Sequence, residues 1–88
     1  MYRITIVKKA QDDLNWLRGN DKNSYIKCFD LVRELMDHPR SGTGKPERLK
    51  YFEKEVYSRR LNHKDQLVYT VYEELKEIDI TSFRGHYE

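Results

Sequence analysis

Cysteine occurs once in this 88-residue sequence, at Cys28; proline occurs twice, tryptophan once and glycine four times. A single cysteine excludes an internal disulfide and suits a reducing compartment. In its helical stretch Cys28 reads as a packing residue. One thiol and three scattered histidines are too few for a structural metal cluster, and no metal or cofactor is expected. No apolar run approaches the ~20 residues that a membrane-spanning helix needs, and no export-type charged and apolar segments open the sequence. The expectation is a cytoplasmic chain with no membrane partner. Residues 1–88 fit one domain, which buries only about 60–65% of its unfolded surface. So thin a core leaves no space for a deep pocket. A site would lie in a surface cleft, and its substrate would be large.

What is present is unevenly placed charge. The net charge is +2, yet residues 40 to 64 hold eight Lys or Arg (Arg40, Lys45, Arg48, Lys50, Lys54, Arg59, Arg60, Lys64) against three Glu, a local +5. The remaining residues carry −3. A basic stripe on a near-neutral chain points to a polyanion-facing surface, with an ordinary mixed-charge surface as the alternative.

Tyr2 to Val7 alternates and is β-rich, which predicts a first strand. Val7, Ala10, Leu14 and Leu17 then repeat at helical spacing through Arg18. Asn20 or Asp21 can cap a second helix by accepting from a free backbone N–H. That helix shows Tyr25, Cys28, Phe29, Val32, Leu35 and Met36 on one face and stops at His38-Pro39. Ser41 to Lys50, with two glycines and a proline, reads as a loop. Period-two patterning follows. Strands are predicted at about 55–61, 66–73 and 76–83, the first two turning through Asn62 to Asp65. The order is β-α-α-β-β-β, an α+β fold in which a small antiparallel sheet carries a helical hairpin on one face. The other face can stay open. Odd positions of the middle strands are expected to face the helices, which sends Arg60 and Gln66 to the open side if the hairpin loop has an odd length.

Five residues attract chemical attention. Glu47 stands before a strand behind Pro46, among Lys45, Arg48 and Lys50, and neighbouring cations favour the ionised carboxylate that a base requires. A lone surface Glu is otherwise merely solubilising. Arg59 and Arg60 point to opposite faces, so only one can join a given site. The one on the open face offers a bidentate fork for phosphate, against the plainer reading of an ion pair with Glu53 or Glu55. The sequence closes on Ser82-Phe83-Arg84-Gly85-His86-Tyr87-Glu88, where an imidazole can serve as general acid and a phenol can stack on a base or donate to phosphate. His38 and His63, at a helix end and in a turn, read as structural or solvated. A base, a cation and an acid together suit RNA cleavage by the substrate's own 2′-OH.

The segments GKPERLK, YSRRL, QLVYTV and RGHY, in this order and spacing, resemble the YoeB/Txe family of toxins within the wider RelE/ParE superfamily. The resemblance runs over nearly the whole chain, and its specific motifs lie in residues 42 to 87. It implies a RelE-like fold and a ribosome-dependent mRNA endoribonuclease, with a YefM-type antitoxin and the mRNA-bearing ribosome as partners; a homodimer stays open. By position it implies Glu47 as general base, His86 as general acid, Tyr87 beside it at the substrate, and Lys50 and Arg60 as RNA or phosphate contacts. Lys45, Arg59 and Arg84 join the expected RNA-binding set.

One position departs from the family. Where an arginine is expected to stabilise transition-state charge, this chain has Gln66, which donates a hydrogen bond but carries no charge. Three outcomes follow: Arg60 or Arg84 supplies the charge, activity is weak, or catalysis is lost and binding remains. Two further readings stand beside the nuclease: a ParE-like gyrase binder, and an inactive paralogue that binds only an antitoxin. Simple alternation also places His86 on the helix-covered side unless Gly85 breaks the phase.

Overall fold

Alternating residues build β1 (Arg3–Ile6), and the helical repeat that follows builds α1 (Lys8–Asn20) and α2 (Lys22–Asp37). The structure, a computed structural model, describes residues 1–50 and 52–85. Asp21 separates the helices and caps the second: its carboxylate accepts from Ser24 N at 3.2 Å and Ser24 Oγ at 2.8 Å, filling one of the donors that a helix start leaves unpaired. His38 ends α2 just ahead of Pro39, as expected. Ser24, Cys28, Leu31 and Leu35 form its buried face. Phe29, expected inside, is instead exposed and meets Tyr25 edge-on at 5.0 Å. Burial raises the Cys28 thiol to about 12, so it is a packing group and a poor nucleophile at neutral pH.

The sheet has five strands in the order β1-β5-β4-β3-β2. The long ones are β3 (Glu55–Arg60), β4 (Gln66–Tyr72) and β5 (Glu77–Ser82). They pair antiparallel, as predicted. Two features differ from the expectation. β1 lies parallel to β5, so the sheet is mixed, not antiparallel. Alternation in a single strand carries no information on the direction of its partner. A two-residue strand, β2 (Glu47–Arg48), also sits inside the expected loop and pairs antiparallel with β3.

Parity behaves as predicted. Tyr57, Leu61, Leu67, Tyr69 and Val71 join Ile78, Ile80 and Phe83 in the core with Ala10, Leu17, Cys28, Leu31 and Leu35. The even-numbered face is less open than expected. Val56, Ser58, Val68 and Thr70 are buried, and the two valines and Thr70 line a shallow cleft of about 450 Å³ with Phe52, Glu53, Lys54 and Thr81. No described helix is long and apolar enough to cross a membrane.

Candidate active site

The loop after α2 sets the position of Glu47, and one buried cation sets the loop. Arg59 is fully enclosed. Its guanidinium donates to Glu34 Oε1 at 2.8 Å, Ser41 O at 2.8 Å, Thr43 O at 3.2 Å and His38 O, and its Nε donates to Tyr69 Oη at 3.1 Å. Tyr69 Oη in turn donates to Pro39 O at 2.5 Å. Three carbonyls of the segment from His38 to Thr43 are thus drawn onto one fork. The expectation that Arg59 contacts RNA is corrected: a side chain with no exposed surface cannot reach a solvent-borne phosphate. Its carboxylate partner is Glu34, and Glu55 pairs with Arg40 instead.

Gly44 continues the same path. Its carbonyl accepts from Arg60 N at 2.7 Å, and its φ is +84°. A Cβ there would stand 2.8 Å from Arg60 O, so only glycine lets the loop approach β3 this closely. Lys45 (φ +51°) turns the chain outward and is exposed. Pro46 and Glu47 then enter β2.

Sheet register decides which side chains share a face, because directly paired residues point the same way. Glu47 pairs with Ser58, and Ser58 with Val68. The next row is Arg60 paired with Gln66. The intervening loop, 61–65, has odd length, so Arg60 and Gln66 do stand on one face. Glu47 lies on that face one row away. Glu47 and Arg60, on adjacent strands, are diagonal neighbours, which stand roughly 7–8 Å apart at Cα, and Gln66 lies one strand further across the same face. Glu47, Arg60 and Lys50 are exposed and Gln66 is half-buried.

The far side of the site is delivered by two buried carboxylates that sequence reasoning missed. Asp13 accepts from Phe83 N at 2.9 Å and Arg84 N at 3.2 Å, and pairs with Lys9 at 2.7 Å. Asp65 accepts from Gly85 N at 3.0 Å. Gly85 O then accepts from Gln66 N at 2.8 Å. The Lys9–Asp13 spacing of i,i+4 resembles an ordinary surface pair, and nothing local marks Asp13 as a backbone clamp. We expect Asp13→Ala to destabilise the chain by about 1–3 kcal/mol, since it strands the buried Phe83 N–H and the part-buried Arg84 N–H; urea unfolding measures this.

The pairing of β4 with β5 slips between Val68 and Tyr69, β5 ends at Ser82, and Gly85 takes φ +87°. Strand alternation therefore ends at Ser82 among the described residues. His86 and Tyr87 themselves lie outside the described residues. Arg84 does not join the Arg60–Gln66 row: its guanidinium lies 3.5 Å over the Trp16 ring on α1, a cation–π contact. That placement does not support it as the replacement for the missing arginine. Among the described residues no three His, Cys, Asp or Glu side chains are grouped to hold a metal ion.

Residues 6–87 match the family described as the YoeB-like toxin of bacterial type II toxin-antitoxin systems. Toxin YoeB of Synechocystis sp. is 33% identical over 86 residues, spanning 98% of this chain and 98% of that protein. The YoeB dimer from Staphylococcus aureus has the same fold with a TM-score of 0.85 at 37% identity, over 98% of both chains. YoeB in the heterotetrameric YoeB-YefM toxin-antitoxin complex from S. aureus gives 0.81 at 36% identity, over 99% of both chains.

Proposed function

This chain belongs to the YoeB-like toxins of bacterial type II toxin-antitoxin systems, and from that premise we propose that it is an endoribonuclease that cuts mRNA in the ribosomal A site. The observation that carries the reading is the placement of Glu47, Arg60 and Gln66 in adjacent rows of one sheet face. In the proposed reaction Glu47 takes the proton of a ribose 2′-OH. The 2′-oxygen attacks the adjoining phosphorus in line with the 5′-oxygen. Arg60 and Lys50 offset the phosphorane charge, and Gln66 donates a neutral hydrogen bond. His86 gives a proton to the departing 5′-oxygen. The products are a 2′,3′-cyclic phosphate and a free 5′-hydroxyl. Tyr87 is proposed to stack beside the scissile nucleotide.

Ribosome dependence follows from the shallowness of the site. An open surface cleft does not by itself hold a flexible RNA strand in the in-line geometry, whereas a codon fixed on the ribosome arrives oriented. Cleavage of ribosome-bound mRNA is expected to exceed that of the same RNA free in solution by orders of magnitude; equal rates would contradict the proposal. Gln66→Arg is expected to raise the cleavage rate about ten-fold or more, because a charged donor replaces a neutral one at the developing charge. An unchanged rate in an active wild type would assign the charge to other residues. A wild type that cuts nothing while Gln66→Arg cuts would favour the binding-only reading of the natural chain.

The neutralising partner is proposed to be a YefM-type antitoxin, the kind of partner present in the S. aureus complex. An acidic segment docking over Lys50 and Arg60 is expected to lose affinity when those two are reversed in charge, measured by calorimetry. Unchanged affinity would place the antitoxin elsewhere. Arg59 is unsuitable for that test because it lies in the core.

A further inference from the structure

The cleft at the tip of the β3–β4 hairpin holds more positive charge than the proposed chemistry uses. It measures about 520 Å³ and is lined by Lys27, Arg60, Asn62, His63, Lys64 and Gln66. Three cations and an imidazole face it, and no carboxylate is among its lining residues. Neither Lys27 nor Arg60 has an acidic partner among the described residues. Two acids stand close by without lining it: Asp65 accepts from Asn62 Nδ2 and Gly85 N, and Asp21 is turned to Ser24, whose hydroxyl and N–H hold its carboxyl low, with help from the charges of Lys64 and His63.

These groups come from two elements that are tied together. Asn62 Oδ1 accepts from Lys64 N at 2.9 Å and from Asp65 N at 2.7 Å, which shapes the turn. Asn62 Nδ2 donates to Ser24 Oγ on α2 at 2.8 Å and to Asp65 Oδ2 at 3.1 Å. The hairpin tip is thereby fixed to the first turns of α2, and Lys27 on the helix is held opposite His63 and Lys64. The backbone that carries these cations is thereby positioned before binding.

We propose that Lys27, His63 and Lys64 continue the row of Arg60 and Gln66 as a binding track for the RNA phosphate backbone, and that they bring beside Gln66 the positive charge which that residue lacks. The inference rests on the cleavage reading above and adds residues to it. The lining favours nucleic acid over an acidic peptide. No apolar side chain is among the residues lining this cleft, and a segment that folds on binding needs apolar anchors. Phosphates need only cations and polar donors: Lys27, Arg60 and Lys64 supply the first, His63 and Gln66 the second, while the Asn62 amide is taken up by Ser24 and Asp65.

The test is a fluorescence-anisotropy titration of a 2′-O-methyl RNA oligonucleotide, which the proposed 2′-OH chemistry cannot cut, at several salt concentrations. For Lys27→Ala/Lys64→Ala the slope of log affinity against log salt is expected to be shallower by about 1.4, as loss of two single-strand phosphate contacts requires. The same arithmetic gives an affinity about ten-fold or more weaker near 0.1 M salt. Lys22→Ala, an exposed lysine of α2 outside the cleft, is expected to match the wild type. Equal slopes for the double variant and the wild type, or no binding by the wild type, overturn the proposal. A double variant that binds RNA normally but loses a polyglutamate peptide would also overturn it and give the cleft to an acidic protein. The titration contains no ribosome and no cleavage step. A failure to cut mRNA would therefore sink the nuclease reading separately from this one.

Discussion

Replacing Arg59 with Ala is expected to lower the free energy of unfolding by about 3–5 kcal/mol, the loss typical of removing one partner from a buried ion pair. The variant leaves the Glu34 carboxylate without its cation and strips His38 O, Ser41 O and Thr43 O of a shared donor. A stranded acceptor costs about 1–3 kcal/mol where water cannot reach it, and less at these part-buried carbonyls. Small domains have only about 5–15 kcal/mol in total, so the loss is a large fraction of it. Arg59→Lys is expected to recover only part of the loss, because an ammonium cannot span four acceptors with one planar fork. Urea unfolding reads the effect as a lower midpoint at constant slope. A change below about 1 kcal/mol would show that the buried fork does not organise the loop. The same pair gives a pH dependence. Thr43 N–H and the Arg59 guanidinium hold the Glu34 carboxyl below its ordinary value of 4.5. A lowered folded-state value means that this stability is present above about pH 4.5 and is lost as pH falls through the folded value. In Glu34→Gln that part of the acid sensitivity is expected to vanish.

Glu47→Ala is expected to lower the rate of ribosome-dependent cleavage by about 10²–10⁴-fold, the range for a general base. Its effect on stability should stay within about 0.5 kcal/mol, since Glu47 is exposed and lies in a strand of two residues. The contrast with Arg59 is diagnostic. One variant stays folded and loses activity; the other loses activity because the loop carrying Glu47 loses its anchor. A base that acts only in the chemical step changes the maximal rate more than half-saturation. A folded Glu47→Ala variant with more than a tenth of wild-type activity would remove Glu47 from the catalytic role.

Much of this arrangement is legible in the sequence, and the remainder fails for identifiable reasons. The helices follow from apolar residues at i, i+3 and i+4. The sheet follows from period-two runs, and the shared face of Arg60 and Gln66 from the length of one loop. Arg59 is the instructive error. Its odd number places it with Tyr57 and Leu61 on the helix side, so parity already argued for burial, but a charged residue is seldom expected in a core. The acceptors that make burial tolerable are main-chain carbonyls of a loop, which no side-chain pattern reveals. Asp13 and Asp65 were missed for the same reason: their partners are N–H groups of Phe83, Arg84 and Gly85. The direction of β1 and the existence of β2 were hidden because a four-residue strand and a two-residue strand hold too little pattern. His63 reads as structural or solvated in the sequence, and Lys64 enters only as one charge of the basic stripe. Only the tie from Asn62 to Ser24 brings them against Lys27.

The most direct measurement is primer-extension mapping of a defined mRNA on programmed ribosomes, with the wild type beside Glu47→Ala and His86→Ala. The account predicts a cut at the A-site codon by the wild type and none by either variant, all three folded by circular dichroism. An intact mRNA after treatment with excess folded wild type, or an equal cut by Glu47→Ala, would contradict it.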